Sequence, residues 1–200
     1  MSLANPLKNW WQSKNPFSSA TNLSDAELLL QYIHSQHPDI IEALISRHGD
    51  ALYHFLITLA DAVLAEDVSQ HTWLKVIEKP TAYQSKTAKF RTWLFTLGRN
   101  GLIDELRRLA RWDWQPIEDY EEVLTDQGDT FSVLEREGLQ QAFDDALTAL
   151  PFPQREALML QLEGFALEDI SLITGDGFET IKSRIRFARK TLKERLEVIA

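Results

Sequence analysis

Apolar residues recur along this chain at steps of three and four, and nowhere alternate as a half-buried strand requires, so every predicted element is a helix. Ser24-Asp25-Ala26-Glu27 has the grammar of a capping box and predicts a helix running to about Ser35. Pro38 suits the first turn of a second helix. Its apolar face is Ile40, Ile41, Leu44, Ile45, Leu52, Phe55, Leu56 and Leu59, with Gly49 as a weak point or break. A third helix is predicted from Leu64 to Glu78, ended by Pro80. The polar loop Lys79 to Lys89 follows, with Tyr83 as its single aromatic. A fourth helix spans Phe90 to Trp112, rich in Trp93, Leu94, Phe95, Leu97, Leu102, Ile103, Leu106 and Leu109. After a lapse, the pattern resumes at Leu139 to Leu150, breaks at Pro151 and Pro153, and continues from Gln154 to Glu163, where Gly164 stops it.

The most informative stretch is Leu167 to Lys193. A short helix to Ile173 faces inward through Leu167, Ile170 and either Leu172 or Ile173. Thr174-Gly175-Asp176-Gly177 then favours turn dihedrals. The next helix carries Phe178, Ile181, Ile185, Ala188, Leu192 and Leu196 as one apolar stripe. At about 100° per residue, Lys182, Arg186, Arg189 and Lys193 share the neighbouring face, with Ser183 and Lys190 just beyond. Two helices, a tight glycine turn and a basic exposed face describe a helix-turn-helix whose second helix enters the major groove. Ordinary solvated lysines and arginines are the plain alternative. Against it, Phe178 to Arg195 holds seven basic and two acidic residues in a chain of net charge −9, and phosphate is the usual reason for such a patch.

Charge also divides the chain. Residues 113–137 carry nine acidic residues and one basic, with Pro116 and Gly128, and read as a flexible acidic linker or as a nucleic-acid mimic for a partner's basic channel. Residues 1–22 mix Asn, Ser and Pro and read as a tail, in which Trp10 and Trp11 either fold back on the protein or bind a partner. The expected fold is therefore all-α: a tail (1–22), a first helical domain (23–112), the linker (113–137), and a second helical domain (138–200) that ends in the helix-turn-helix. The 200 residues contain no cysteine, which excludes disulfide frameworks and thiolate zinc sites. No apolar run reaches the ~18 residues of a membrane span, and no signal region is apparent, so a soluble cytoplasmic protein without membrane insertion is expected. His34, His37, His48, His54 and His71 lack a glutamate at metalloprotease spacing, and no glycine-rich phosphate loop is present. Neither an enzymatic activity, a metal nor a cofactor is expected.

Three blocks of the sequence resemble the extracytoplasmic-function sigma factors, the small sigma subunits of bacterial RNA polymerase. Ala65-Glu66-Asp67-Val68-Ser69-Gln70 with Thr72-Trp73-Leu74 resembles region two. Phe90-Arg91-Thr92-Trp93-Leu94-Phe95-Thr96-Leu97-Gly98-Arg99-Asn100, then Asp104-Glu105-Leu106-Arg107-Arg108, is similar to the same family's F-R-x-W-L-x-x-I-A-R-N and D-x-x-R-R. Ala149-Leu150-Pro151, Gln154-Arg155-Glu156-Ala157-Leu158, Gly164, Glu168-Asp169-Ile170 and Thr180-Ile181-Lys182-Ser183-Arg184 resemble region four. The blocks lie in the family's order across Leu23 to Leu196. Departures are Ile77, where the family often has Trp, Gly98 for a usual Ala, and a turn without the common small apolar or Pro residue.

The resemblance implies the roles. Asp67, Gln70 and Trp73 would dock on the core polymerase, with packing in the core as the equal alternative for Trp73. Tyr83, Lys86, Lys89, Arg91 and Asn100 would hold an extruded base and the opened strand, and Trp93 is expected in the core beside Leu97. Arg99, Arg107 and Arg108 would contact phosphate. Thr180, Lys182, Ser183, Arg186 and Arg189 would read the upstream promoter element. The implied partners are core RNA polymerase and promoter DNA, with an anti-sigma factor as a further candidate. Two other classes stay open at this stage: a free-standing helix-turn-helix regulator, and a sigma-like decoy that binds an anti-sigma factor.

Overall fold

The structure, a computed structural model, describes residues 23–112 and 143–197. The tail with Trp10 and Trp11, the acidic linker, and the start of the helix expected at Leu139 lie outside the described residues. All regular structure within them is helical. In the first half are α1 (Asp25–Ser35), α2 (Pro38–Ile57), α3 (Ala62–Glu78), a 3-10 turn (Pro80–Ala82) and α4 (Phe90–Trp112). In the second are α5 (143–148), α6 (Phe152–Leu162), α7 (Leu167–Thr174) and α8 (Phe178–Glu197).

Local chemistry sets the boundaries. Ser24 accepts the Glu27 N–H at 3.3 Å while Glu27 accepts the Ser24 N–H at 2.8 Å, so the capping box is complete. The Asp61 carboxylate accepts the Leu64 N–H at 2.9 Å, which starts α3 before the predicted Leu64. Gly164 and Gly175 end α6 and α7 in left-handed conformation, at φ 83° and 77°. The expected break at Gly49 does not occur. Helix α2 runs through it between His48 and Leu52, both buried, because packing outweighs a weak helix former. Gly98 lies at a close approach: a Cβ there would come within 2.9 Å of Leu52 Cδ1, so the Leu52 side chain would have to shift to admit one.

The hydrophobic core is not divided between the halves. Leu44, Leu52, Phe55, Phe90, Leu94 and Phe95 belong to the same buried cluster as Ala157, Leu160, Phe165, Ile170, Ile173, Ile181 and Ile185. A smaller cluster joins Ala146, Leu147 and Leu150 to Leu158, Ala188 and Leu192 within the second half. Two helical groups are thus present in sequence but packed together, with α4 lying against α7.

Candidate polymerase and nucleic-acid interfaces

Helix α8 buries Ile181, Ile185, Ala188 and Leu192, as its apolar stripe requires, and this turns Thr180, Lys182, Arg186, Arg189, Lys190 and Lys193 outward. Ser183 is half-buried. Phe178 departs from the expected stripe and is 40% exposed. Helical side chains lean toward the N-terminus, so a first-turn residue points past the helix end. Lys182 lies 5.9 Å from the Phe178 ring centre and 3.7 Å from Glu179. The Arg186 guanidinium rests on Phe187 at 5.0 Å, and Arg189 donates to Gln161 Oε1 at 2.9 Å. Of the two inward candidates on α7, Ile173 is buried and Leu172 exposed.

The turn is held by side chains. Thr174 Oγ1 accepts the Asp176 N–H at 3.2 Å, the Ser171 hydroxyl donates to the Asp176 carbonyl, and Arg184 on α8 pairs with the Asp176 carboxylate. Arg184 is therefore a positioning residue for the entry angle of α8. Its spacing from Asp176 is the signal that reading the motif alone passes over.

Helix α3 carries the polymerase candidates. Asp67 and Gln70 are exposed, and Gln70 Nε2 donates to Glu66 at 3.1 Å. Trp73, expected beside them, is 7% exposed and belongs to the core. Steps of three lag the helix by ~60° each, so two steps carry Trp73 off the outer face. The residues sharing that face are Val63, Leu74 and Ile77, exposed at 74%, 50% and 38%. With Asp67 and Gln70 they repeat at four and three residues, which is one continuous stripe.

Helix α4 has two working faces. On one, Trp93, Leu97 and Asn100 align at i, i+4 and i+7. Tyr83 from the preceding loop is half-buried there, with its ring 5.7 Å from Phe90 and 5.5 Å from Trp93. Burial pushes the Tyr83 hydroxyl pKa up, aided by the nearby Asp25 carboxylate. Trp93 packs against the core from a half-buried position, and Lys86 and Asn100 are exposed. Arg107 and Arg108 are exposed farther along and pair within the helix with Asp104 at 3.9 Å and Glu105 at 2.7 Å.

The other face of α4 meets the second half. Arg99 forms a two-point contact with Glu156, Nε to Oε1 at 2.7 Å and Nη2 to Oε2 at 3.4 Å. Arg91 donates to Glu163 at 3.0 Å and lies over the Phe165 ring at 4.4 Å. Thr92 donates to Asp169 at 3.0 Å, and Lys89 reaches the other Asp169 oxygen at 3.9 Å. Phe95 and Phe165 meet edge to face at 4.7 Å. The Glu156 side chain is only 2% exposed. Burial raises its pKa above the ordinary 4.5, and the hydrogen bond and charge of Arg99 work against that rise. So Arg91 and Arg99, expected at DNA, are engaged within the chain. Glu156 carried one legible signal: an acid sharing the inward stripe of Ala157 and Leu160.

Residues 44–112 match the Sigma-70 region 2 family and residues 140–192 match the Sigma-70 region 4 family. The sigma factor EcfG of Rhodopseudomonas palustris is 34% identical over 166 residues, covering 82% of this chain and 86% of that protein. The chain belongs to the extracytoplasmic-function RNA polymerase sigma factors. SigE of Mycolicibacterium smegmatis is 29% identical over 78% of this chain, which spans only 61% of that relative. The sigma factor RpoE of Bartonella quintana, solved in complex with the anti-sigma factor NepR, superposes with a TM-score of 0.63 at 31% identity, over 78% of this chain and 96% of RpoE. Among the described residues, no helix is long and apolar enough to cross a membrane.

Proposed function

We propose that this chain, as a sigma factor, binds core RNA polymerase, directs it to promoters and helps open the duplex, with the work divided among three surfaces. The observation that carries the reading is the outer face of α8, where Arg186, Arg189, Lys190 and Lys193 stand exposed on a helix-turn-helix in a chain of net charge −9. That face suits the upstream promoter element, with Thr180, Lys182 and Ser183 at its N-terminal end. The stripe Val63, Asp67, Gln70, Leu74 and Ile77 on α3 suits the polymerase, because a mixed apolar and polar stripe at helical spacing packs against another helix. The Tyr83, Trp93 and Asn100 face of α4, flanked by Lys86, suits an extruded base. Residues 23–112 and 138–200 would act as the two operating domains, joined by 113–137. Nucleotide chemistry belongs to the polymerase in this reading, and the place of action is the cytoplasm. The anti-sigma partner of RpoE makes an anti-sigma factor the natural regulator to look for.

A saturation screen of the upstream element tests the α8 assignment. With holoenzyme carrying Arg186→Ala, preference relaxes at one base pair by ~1–3 kcal/mol. With Lys182→Ala, all sequences weaken about equally and the salt slope falls. Wild-type transcription from every variant by both mutants removes α8 as the reader.

A further inference from the structure

We propose that Asp25 and His48 are positioning residues for promoter opening. The bond between them orients the His48 ring against Phe90, and Phe90 in turn sets Tyr83 and Trp93 at the face where the extruded base would sit. The proposal rests on the reading of that α4 face given above.

The capping of α1 is complete without the Asp25 side chain, since Ser24 and Glu27 cap each other. Asp25 instead reaches across to α2. One of its oxygens meets Nε2 of His48 at 2.8 Å, and the other accepts Arg47 Nη1 at 2.9 Å. An ionised carboxylate only accepts, so Nε2 of His48 carries the proton, and the bond fixes both the tautomer and the angle of the ring. His48 is buried, and its ring centre lies 5.6 Å from that of Phe90. Phe90 is the first residue of α4 and is itself buried. Its ring lies 5.7 Å from Tyr83 and 5.8 Å from Trp93, and those two meet at 5.5 Å. The half-buried Tyr83 and Trp93 thus rest on Phe90, and Phe90 on His48.

The loop that carries Tyr83 is referred to the same pair of helices at both ends. Around Tyr83 its backbone bonds are local turns, the Tyr83 N–H to the Pro80 carbonyl at 3.4 Å and the Thr87 N–H to the Gln84 carbonyl at 3.0 Å, which orient neither ring. At its start the 3-10 turn Pro80–Ala82 packs against α1, and at its end Phe90 packs against His48 of α2. The Asp25–His48 bond is a polar tie between α1 and α2. A ring that must receive an unstacked base captures it best when already in place, because ordering it on arrival weakens the capture. Loss of the tie therefore acts on the step at which the base leaves the stack. The surfaces assigned to core polymerase on α3 and to the upstream element on α8 do not include these residues.

The test uses holoenzyme assembled with the full chain on a promoter selected by run-off transcription. Two quantities are measured separately: the binding constant of the closed complex, in which the duplex is bound but not melted, and the rate of opening, from permanganate reactivity of promoter thymines over time. Asp25→Ala and His48→Phe are expected to slow opening by about tenfold or more, the scale on which misplaced groups fail, while the closed complex forms as in wild type. The double variant should open no more slowly than the slower single one, because both act through one contact. Arg47→Ala is the control. It removes the other partner of Asp25, and a bond to the Leu23 carbonyl at 2.8 Å, without touching the path from His48 to Phe90, and should open at the wild-type rate. If Asp25→Ala does not fold, His48→Phe against Arg47→Ala makes the same comparison. Wild-type opening by His48→Phe overturns the proposal. So does equal slowing by Arg47→Ala, which would make the cluster a plain tether for α1, and so does a loss of closed complex that matches the loss of opening rate. Tyr83→Ala, measured alongside, separates these outcomes from failure of the reading beneath them: normal opening by Tyr83→Ala removes the base-holding face itself, whereas slow opening by Tyr83→Ala with normal opening by His48→Phe removes only the positioning role.

Discussion

Two adjacent residues on α3 separate folding from docking. Trp73 is buried in the core and Leu74 is half exposed on the outer stripe. Trp73→Ala should cost ~3–5 kcal/mol in denaturant unfolding, the usual result of emptying a packed aromatic site. Leu74→Ala should leave unfolding within ~0.5 kcal/mol of wild type and weaken binding to core polymerase. Titration of labelled protein with core enzyme checks the second half of this prediction. Unchanged affinity for Leu74→Ala would remove the stripe from the docking surface. The helix at Trp73 was legible from the chain, whereas its side was not: steps of three look like one face over a single turn and drift off it over two.

Glu156 and Asp25 give opposite pH dependences. Burial raises the Glu156 pKa, so the folded form holds its proton more tightly than the unfolded one. The stability this group contributes is full below 4.5 and is lost as pH rises through its folded value. Asp25 is lowered, chiefly by its hydrogen bond with His48 and also by Arg47, with Nε2 of His48 at 2.8 Å and Nη1 of Arg47 at 2.9 Å. Its contribution is present above 3.8 and is lost as pH falls through its folded value. Urea midpoints across this range should therefore show Glu156→Gln gaining on wild type as pH rises above 4.5. Asp25→Asn should lose ground at neutral pH and draw level in acid. Parallel curves for all three proteins would contradict both assignments.

At the scale of elements, the turn before α8 carries the clearest backbone demand. Gly175 sits at φ 77° with nothing within 4 Å of a Cβ placed there, so Gly175→Ala meets only backbone strain. That substitution should destabilise by ~1–2 kcal/mol, and Gly175→Asn by less, since Asn tolerates the left-handed region better. Thermal unfolding of the three proteins decides it, and an unperturbed Ala variant would mean the turn is not as described. This turn was readable in advance because Thr-Gly-Asp-Gly states its dihedrals locally. So were α1 and α4, the first from its capping box and the second from a long uninterrupted period. Gly49 misled because propensity is a weak term: the flanking His48 and Leu52 are buried, and packing holds the helix through it. Phe178 misled because periodicity does not say where a helix runs out of neighbours.

At the scale of the whole molecule, the acidic balance and the shared core point the same way. A chain of net charge −9 that clusters basic residues on α8, and engages Arg91 and Arg99 of α4 with its own carboxylates, is expected to bind DNA weakly alone. The family and the two helical groups could be read from the sequence, since each motif is local. The packing of one group on the other could not. Arg99 and Glu156 stand 57 residues apart, Arg91 and Glu163 72, and Thr92 and Asp169 77, and no short-range pattern pairs them. An arginine destined for a carboxylate of its own chain looks, in sequence, like one destined for phosphate.

The most direct measurement is run-off transcription from a randomised promoter library by core RNA polymerase, with and without the purified chain, alongside duplex binding by the chain alone. The account predicts transcripts that share an upstream and a downstream element only when core enzyme and chain are combined, and weak duplex binding without core. Tight sequence-specific binding by the free chain, with no transcript gained on adding it to core, would contradict it.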